Sequence, residues 1–215
     1  MATSKLEIYQ RAILHCKQTP VASLSENNEA RRLCDIHYGP MLQSLMEAGF
    51  WTHAMRTTQI TVNVGVTPAF GYAYAHDLPT DFVRKYAVSA SENLEPPLDY
   101  QTDSRAYLIE GGYLWCDATP LYLRYTSSDA SYGLDLGRWP ERLTEAACTE
   151  LAYRIVPKLS GSSQLRGELV RLKQDALGKA NTYEALQQPA QTGRPGRWIT
   201  DRFSSRRSSL DHRRA

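Results

Sequence analysis

Thr57-Thr58-Gln59-Ile60-Thr61-Val62-Asn63-Val64-Gly65-Val66 decides the fold class, because the hydrophobic period changes here. Thr58, Ile60, Val62, Val64 and Val66 alternate with Thr57, Gln59, Thr61, Asn63 and Gly65. A period of two predicts a strand with one wet face. On either side the period is between three and four. Upstream, Leu6, Tyr9, Ile13 and Cys16 predict a helix over residues 4–18, with Ser4 and Glu7 at capping-box spacing and Thr19-Pro20 as its stop. A second helix is predicted from Ser25 to about Ala48, with Ala30, Leu33, Cys34, His37, Met41, Leu45 and Ala48 as its buried face. Gly39-Pro40 predicts a kink or short break in it, since proline removes one ladder bond.

Downstream, residues 82–88 and 119–126 read as strands. Gly111-Gly112 reads as a two-residue primed turn, which pairs Ile109 with Leu114 and Tyr107 with Cys116 on one side of a hairpin over 105–117. Leu108, Tyr113 and Trp115 crowd the other side, leaving an apolar surplus for a helix or another subunit. Helix returns near Trp139-Pro140, with Leu143, Ala147, Leu151 and Ile155 as its stripe and Pro157 as its limit. A last helix starts at Ser162 or Ser163; Leu165, Leu169, Leu172, Ala176, Tyr183 and Leu186 recur near heptad spacing until Pro189. The expectation is an α+β chain: a discontinuous antiparallel helical bundle (1–54 and 128–188), an inserted small β-sheet module (55–127) and an extended basic tail (189–215).

The 215 residues are 42% hydrophobic and 22% charged, a globular composition. Residues 190–215 hold seven arginines against two aspartates, net +5; as the whole chain is +2, the body is −3. A mildly acidic body excludes a whole-surface nucleic-acid binder. Cys16, Cys34, Cys116 and Cys148 form no C-x-x-C pair, each lies in an apolar pattern, and together they predict buried free thiols. The first residues lack the apolar core of a signal peptide, and no apolar run approaches the roughly 20 residues that span a bilayer. Folding in a cytoplasm, away from any membrane, is therefore expected.

No phosphate-cradling glycine motif and no nucleophile elbow occurs. His15, His37, His53, His76 and His212 lie in different elements without ligand spacing, so neither a metal nor a cofactor is expected. Two carboxylates could serve a hydrolase. Glu141, Glu145 and Glu150 on one helix, and Asp77 and Asp81 around Leu78-Pro79, are the acids to weigh; the plainer expectation is a solvated helix face and turn caps. Tyr72 and Tyr74, with Tyr113 and Trp115, are read as sheet packing or as an interface between subunits or with a tail component. In the tail, Arg194, Arg197, Arg202, Arg206 and Arg207 are interspersed with Trp198 and Phe203. Phosphates would take the arginines alone; the aromatics favour a groove on a protein partner over a loose solubilising tail.

Glu29-Ala30-Arg31-Arg32-Leu33, then Leu42 through Leu45, then Phe50-Trp51-Thr52-His53-Ala54 resembles the N-terminal half of phage head-to-tail adaptor proteins. Phe70-Gly71-Tyr72-Ala73-Tyr74, followed by Leu78-Pro79-Thr80-Asp81-Phe82-Val83-Arg84, is similar to that family's tyrosine, leucine-proline and arginine segment. The class is the tail tubular protein A, or gatekeeper, family of short-tailed phages. The resemblance implies a structural virion protein, not an enzyme, assembled in the host cytoplasm as a cyclic homo-oligomer, typically a dodecamer, at the virion neck. It implies three partners besides itself: the portal protein, bound by the C-terminal segment; the next tail or nozzle protein; and double-stranded DNA, which passes without sequence readout. The alternatives are a virion-associated hydrolase acting on the host envelope and a DNA-binding module that uses the basic tail.

Overall fold

Ser4 caps the first helix as its spacing predicts, its hydroxyl accepting from the Glu7 amide at 3.2 Å. The computed structural model describes residues 4–68, 71–94, 98 and 106–187. Helix α1, Lys5–His15, buries Ile8 and Ala12 as well as Tyr9 and Ile13, a wider face than the predicted stripe. It stops before Thr19-Pro20, because Lys17 takes the left-handed conformation (φ 58°) and the Gln18 amide reaches back to the Ile13 carbonyl at 3.2 Å. This is the closure that a helix end uses to satisfy its last carbonyls.

Helix α2, Glu29–Ala48, starts at Asn28 and not at Ser25. Asn28 Oδ1 accepts from the Ala30 amide, while Glu26 folds back to accept from the Ala22 amide and holds the preceding loop. The helix runs unbroken through Pro40. Gly39 and Pro40 lie on its exposed side, where water can take the carbonyl that proline leaves without a donor. His37 is half-buried and Ala48 exposed, so the predicted buried face is too long at its end.

A 3-10 turn, Thr52–Ala54, leads to β1 (Met55–Ile60). Strands β2 (Tyr74–Asp77), β3 (Phe82–Ser89), β4 (Tyr107–Glu110), β5 (Tyr113–Cys116) and β6 (Leu121–Ser127) follow. They make two antiparallel three-stranded sheets, β1-β6-β3 and β2-β5-β4, not one. The long alternation is split between them. Through Ile60 the chain pairs with β6; beyond it, Val62 bridges His76 and the Asn63 amide donates to the Ala75 carbonyl at 2.7 Å. Asn63 then ends the extended run in a turn, its side-chain oxygen accepting from the Gly65 amide. Val64 is consequently 97% exposed. The hairpin has the predicted register, Ile109 opposite Leu114 and Tyr107 opposite Cys116. Its turn places Gly111 and Gly112 at φ 64° and 85°, which residues with a Cβ rarely adopt.

Helix α3, Glu141–Leu159, follows Pro140 and passes through Pro157 before ending. It is the centre of the bundle, burying Thr144, Cys148 and Glu150 besides its predicted stripe. Helix α4, Ser163–Gln187, has Ser162 Oγ accepting from the Leu165 amide at its start. Residues through Ala185 make one compact unit with two cores. One core is formed by the helices with Trp51 and Trp139. The other lies between the sheets, from Ile60, Val88, Leu114, Cys116, Leu121, Leu123 and Tyr125. The four cysteines are free and buried, and burial raises the Cys16 thiol to about 11 and the Cys34 and Cys148 thiols to about 12. At neutral pH they are protonated packing groups.

Candidate functional site

The two segments that carry the family resemblance meet at the joint between bundle and sheets. Trp51 fills the bundle core and donates from Nε1 to the Leu45 carbonyl at 2.8 Å. Next to it, both the amide and hydroxyl of Thr52 are bound by Glu184 of α4, which is only 4% exposed. The His53 ring lies 6.2 Å from Trp139. From the second segment, Asp81 accepts from the Tyr125 hydroxyl at 2.9 Å, from the Ser127 hydroxyl and from Arg56 at 3.1 Å. Burial alone would raise this carboxyl; the hydrogen bonds from Ser127, Tyr125 and Arg56 overcome it and hold Asp81 below the usual range.

A stacked ladder links the segments. The Arg84 guanidinium lies 4.1 Å from the Phe50 ring centre, Phe50 meets Tyr86 edge-on at 5.2 Å, and the Arg124 guanidinium lies 5.2 Å from Tyr86. Arg84 also donates to the Glu47 carbonyl. No local sequence pattern marks this ladder. Its available signal is charge: β1, β3 and β6 contain Arg56, Arg84, Lys85 and Arg124 and no aspartate or glutamate.

The predicted tyrosine patch is divided. Pairing of β2 with β5 sets Tyr74 opposite Cys116 and Ala75 opposite Trp115, so Tyr74 shares the inner face with His76 while Tyr113 and Trp115 share the outer one. Tyr72, Tyr74 and Tyr113 are half-buried, but Trp115 is 7% exposed and packs beside Tyr113 within its own chain. A large ring in the middle of a three-stranded sheet is covered locally before it can serve a neighbour. Arg194, Arg197, Trp198, Arg202, Phe203, Arg206 and Arg207 lie outside the described residues.

The weighed acids are engaged in holding the fold. Arg11 joins Glu141 and Glu145 across α1 and α3, and His15 approaches Glu145 at 3.2 Å. Glu150 is buried, not solvated: Arg154 and Lys173 both reach it at 2.7 Å. Burial would raise Glu150, but Lys173 and Arg154 keep it below its ordinary value. Asp77 is bound by Asn63 Nδ2. A cavity of about 410 Å³ opens between α2 and the start of β3, lined by Leu42, Met46, Phe82 and Leu134 among others, and Glu47 is the one ionisable residue in its wall. A two-carboxylate reaction has no second acid there. Among the described residues no cluster of three His, Cys, Asp or Glu side chains is placed to hold a metal ion, and no helix is long and apolar enough to cross a membrane.

The apolar side chains left outside are concentrated on helices. Leu14 of α1 is 55% exposed, Ile36 of α2 65%, and Leu172 and Tyr183 of α4 46% and 38%. On α4 the cause is geometric. The heptad seam predicted from Leu165 to Leu186 repeats every 3.5 residues, whereas a straight helix turns every 3.6, a drift of about 20° per heptad. The bundle therefore takes Leu165, Leu169 and Ala176 from the seam, then Ala180 and Glu184, and leaves Leu172, Tyr183 and Leu186 exposed.

His53 and His76 have their affinity for a proton lowered, chiefly by burial. His76 is fully buried, with Nε2 on the Ala118 carbonyl. The unfolded chain, with imidazoles near 6.5, then binds more protons than the native one, so stability is full above about pH 6.5 and falls on acidification. Thermal unfolding at pH 5.5 is expected several degrees below that at pH 7.5, with the difference reduced in His76→Gln; an equal difference in both proteins would remove His76 as a cause.

No protein-family model matches the sequence, and no curated protein matches it. The chain thus stands on its architecture: an α+β unit with a closed helical core, a double-sheet module and an apolar seam exposed along α4.

Proposed function

We propose that this chain is a structural connector of a short-tailed phage, not an enzyme. It closes into a ring below the portal, a dodecamer by the family resemblance, joins the capsid vertex to the next tail protein, and lets double-stranded DNA pass. The observation that carries this reading is the α4 seam. A cyclic assembly needs two unlike, complementary patches on each subunit. Leu172 and Tyr183 supply one on α4; Leu14 and Ile36, on the outer sides of α1 and α2, supply apolar ground for the other. The discontinuous bundle with its inserted β module also has the layout that the resemblance implies, with the bundle as ring wall.

The engaged carboxylates weigh against the hydrolase, since Glu141, Glu145, Glu150 and Asp81 each hold a structural cation or hydroxyl. The test is Leu172→Glu with Tyr183→Glu. Two buried carboxylates in an apolar contact are expected to weaken self-association at least tenfold. Light scattering should find assemblies for the wild type and monomers for the folded variant. Unchanged assembly in the variant would remove α4 from the contact.

A further inference from the structure

The ladder at the bundle–sheet joint has two ends, and each is a guanidinium group set against an aromatic ring. Among the described residues no carboxylate is joined to Arg84 or Arg124, whereas Arg56 on the same sheet is joined to Asp81. Glu47, whose carbonyl oxygen Arg84 uses, has its carboxylate bound by Gln43 at 3.0 Å. Register puts Arg124 opposite Thr57 and Arg84 opposite Thr126, on the sheet face turned away from the core that Leu121, Leu123 and Tyr125 enter. On that face Arg84, Thr57 and Gln59 are exposed and Arg124 is half-buried, while Thr126, Ala87 and Ser89 are covered. The three strands carry no acid, and of their four cations Arg84 and Arg124 lie on this face while Arg56 and Lys85 share the face of Tyr125, inside a body whose net charge is −3.

We propose that the outer face of the β1-β6-β3 sheet, through Arg84 and Arg124, is a contact surface for the phosphate backbone of duplex DNA. The ring contact restricts each guanidinium in advance, so less side-chain freedom is lost on contact than for a loose lysine. The in-plane donors left to Arg84 and Arg124 match phosphate oxygens. The ladder contacts of 4.1, 5.2 and 5.2 Å place the two groups less than 15 Å apart. That distance covers about four nucleotides of one strand at 3.4 Å each. Such a contact reads charge and not sequence. It uses residues other than those of the basic tail and does not depend on whether the chain forms a ring.

The test measures binding of the full chain to a fluorescent 20-base-pair duplex by anisotropy over a salt series. Each lost phosphate contact removes about 0.9 from the slope of log affinity against log salt, so Arg84→Gln with Arg124→Gln is expected to lower the slope by about two and weaken binding at least tenfold in low salt. Arg84→Lys with Arg124→Lys keeps the charge and is expected to retain most of the slope, which guards against loss of fold. Arg142→Gln with Arg171→Gln, an equal charge change on exposed helix positions, is expected to leave the slope within half a unit. Absence of wild-type binding, an unchanged slope in the Gln pair, or an equal loss in the helix pair would overturn the proposal. So would binding of polyglutamate in preference to the duplex, which would make the partner an acidic protein.

Discussion

Asp81→Ala is expected to destabilise the chain by about 3–5 kcal/mol, a large share of the 5–15 kcal/mol that holds a domain together. The carboxylate binds three donors from two strands and lies at the head of β3: Tyr125 and Ser127 of β6, and Arg56 of β1. Tyr125 and Ser127 are fully buried, so truncation leaves two hydroxyl groups without an acceptor and without water, each costing about 1–3 kcal/mol. The pair with Arg56, whose side chain is 39% exposed, adds little because solvent screens it. Asp81→Asn keeps an acceptor oxygen and is expected to lose about half as much. Urea unfolding measures both. A loss below 1 kcal/mol for the alanine variant would show that the three strands hold together without this anchor. Because hydrogen bonds depress the Asp81 carboxyl, its contribution is present above pH 4 and disappears as pH falls further, whereas in Asp81→Ala that part of the acid dependence is gone.

Trp51→Ala is expected to cost about 3–5 kcal/mol by emptying the bundle core beneath the end of α2. The indole is fully buried, and its Nε1 satisfies the Leu45 carbonyl. The fit is close enough to require the neighbouring glycine: a Cβ on Gly49 would lie 2.7 Å from the indole and 2.6 Å from the Asn181 side chain of α4. Gly49→Ala should therefore destabilise by a smaller amount in the same direction, and combining the two substitutions should be less than additive, since the smaller side chain at 51 vacates the space. Full additivity in a double-mutant cycle would contradict the packing described. Loss of Trp51 is also expected to loosen Thr52 from Glu184, which ties α4 to the same turn.

How legible this was in the sequence depended on how local the controlling interaction is. The Ser4 cap, the Gly111-Gly112 turn and the hairpin register are set by residues within a few positions of one another, and they form as expected. The alternation from Thr57 to Val66 was read as one strand because period two records extended backbone and says nothing about the partner; the partner changes after Ile60, and Asn63 turns the chain. Ser25 and Asn28 are both good caps, and the choice fell to Glu26, which ties down the loop before the helix. The seam of α4 was visible as a heptad, but its drift off the bundle appears only when 25 residues are laid along a straight axis. Glu150 looked like a solvated acid because Lys173, its partner, lies on another helix. Trp115 offered no sign that its own sheet would cover it. The ladder from Arg84 to Arg124 joins the turn after α2 to β3 and β6, and only the missing acids of three strands hint at it.

Electron microscopy of the purified full chain tests the central claim most directly. On the proposed reading, copies of the same chain cover side chains such as Leu172 and Tyr183, so closed rings with one repeated subunit contact are predicted in class averages, growing in number with protein concentration. Solitary particles of about 24 kDa at every concentration, or open aggregates without a repeated contact, would contradict it.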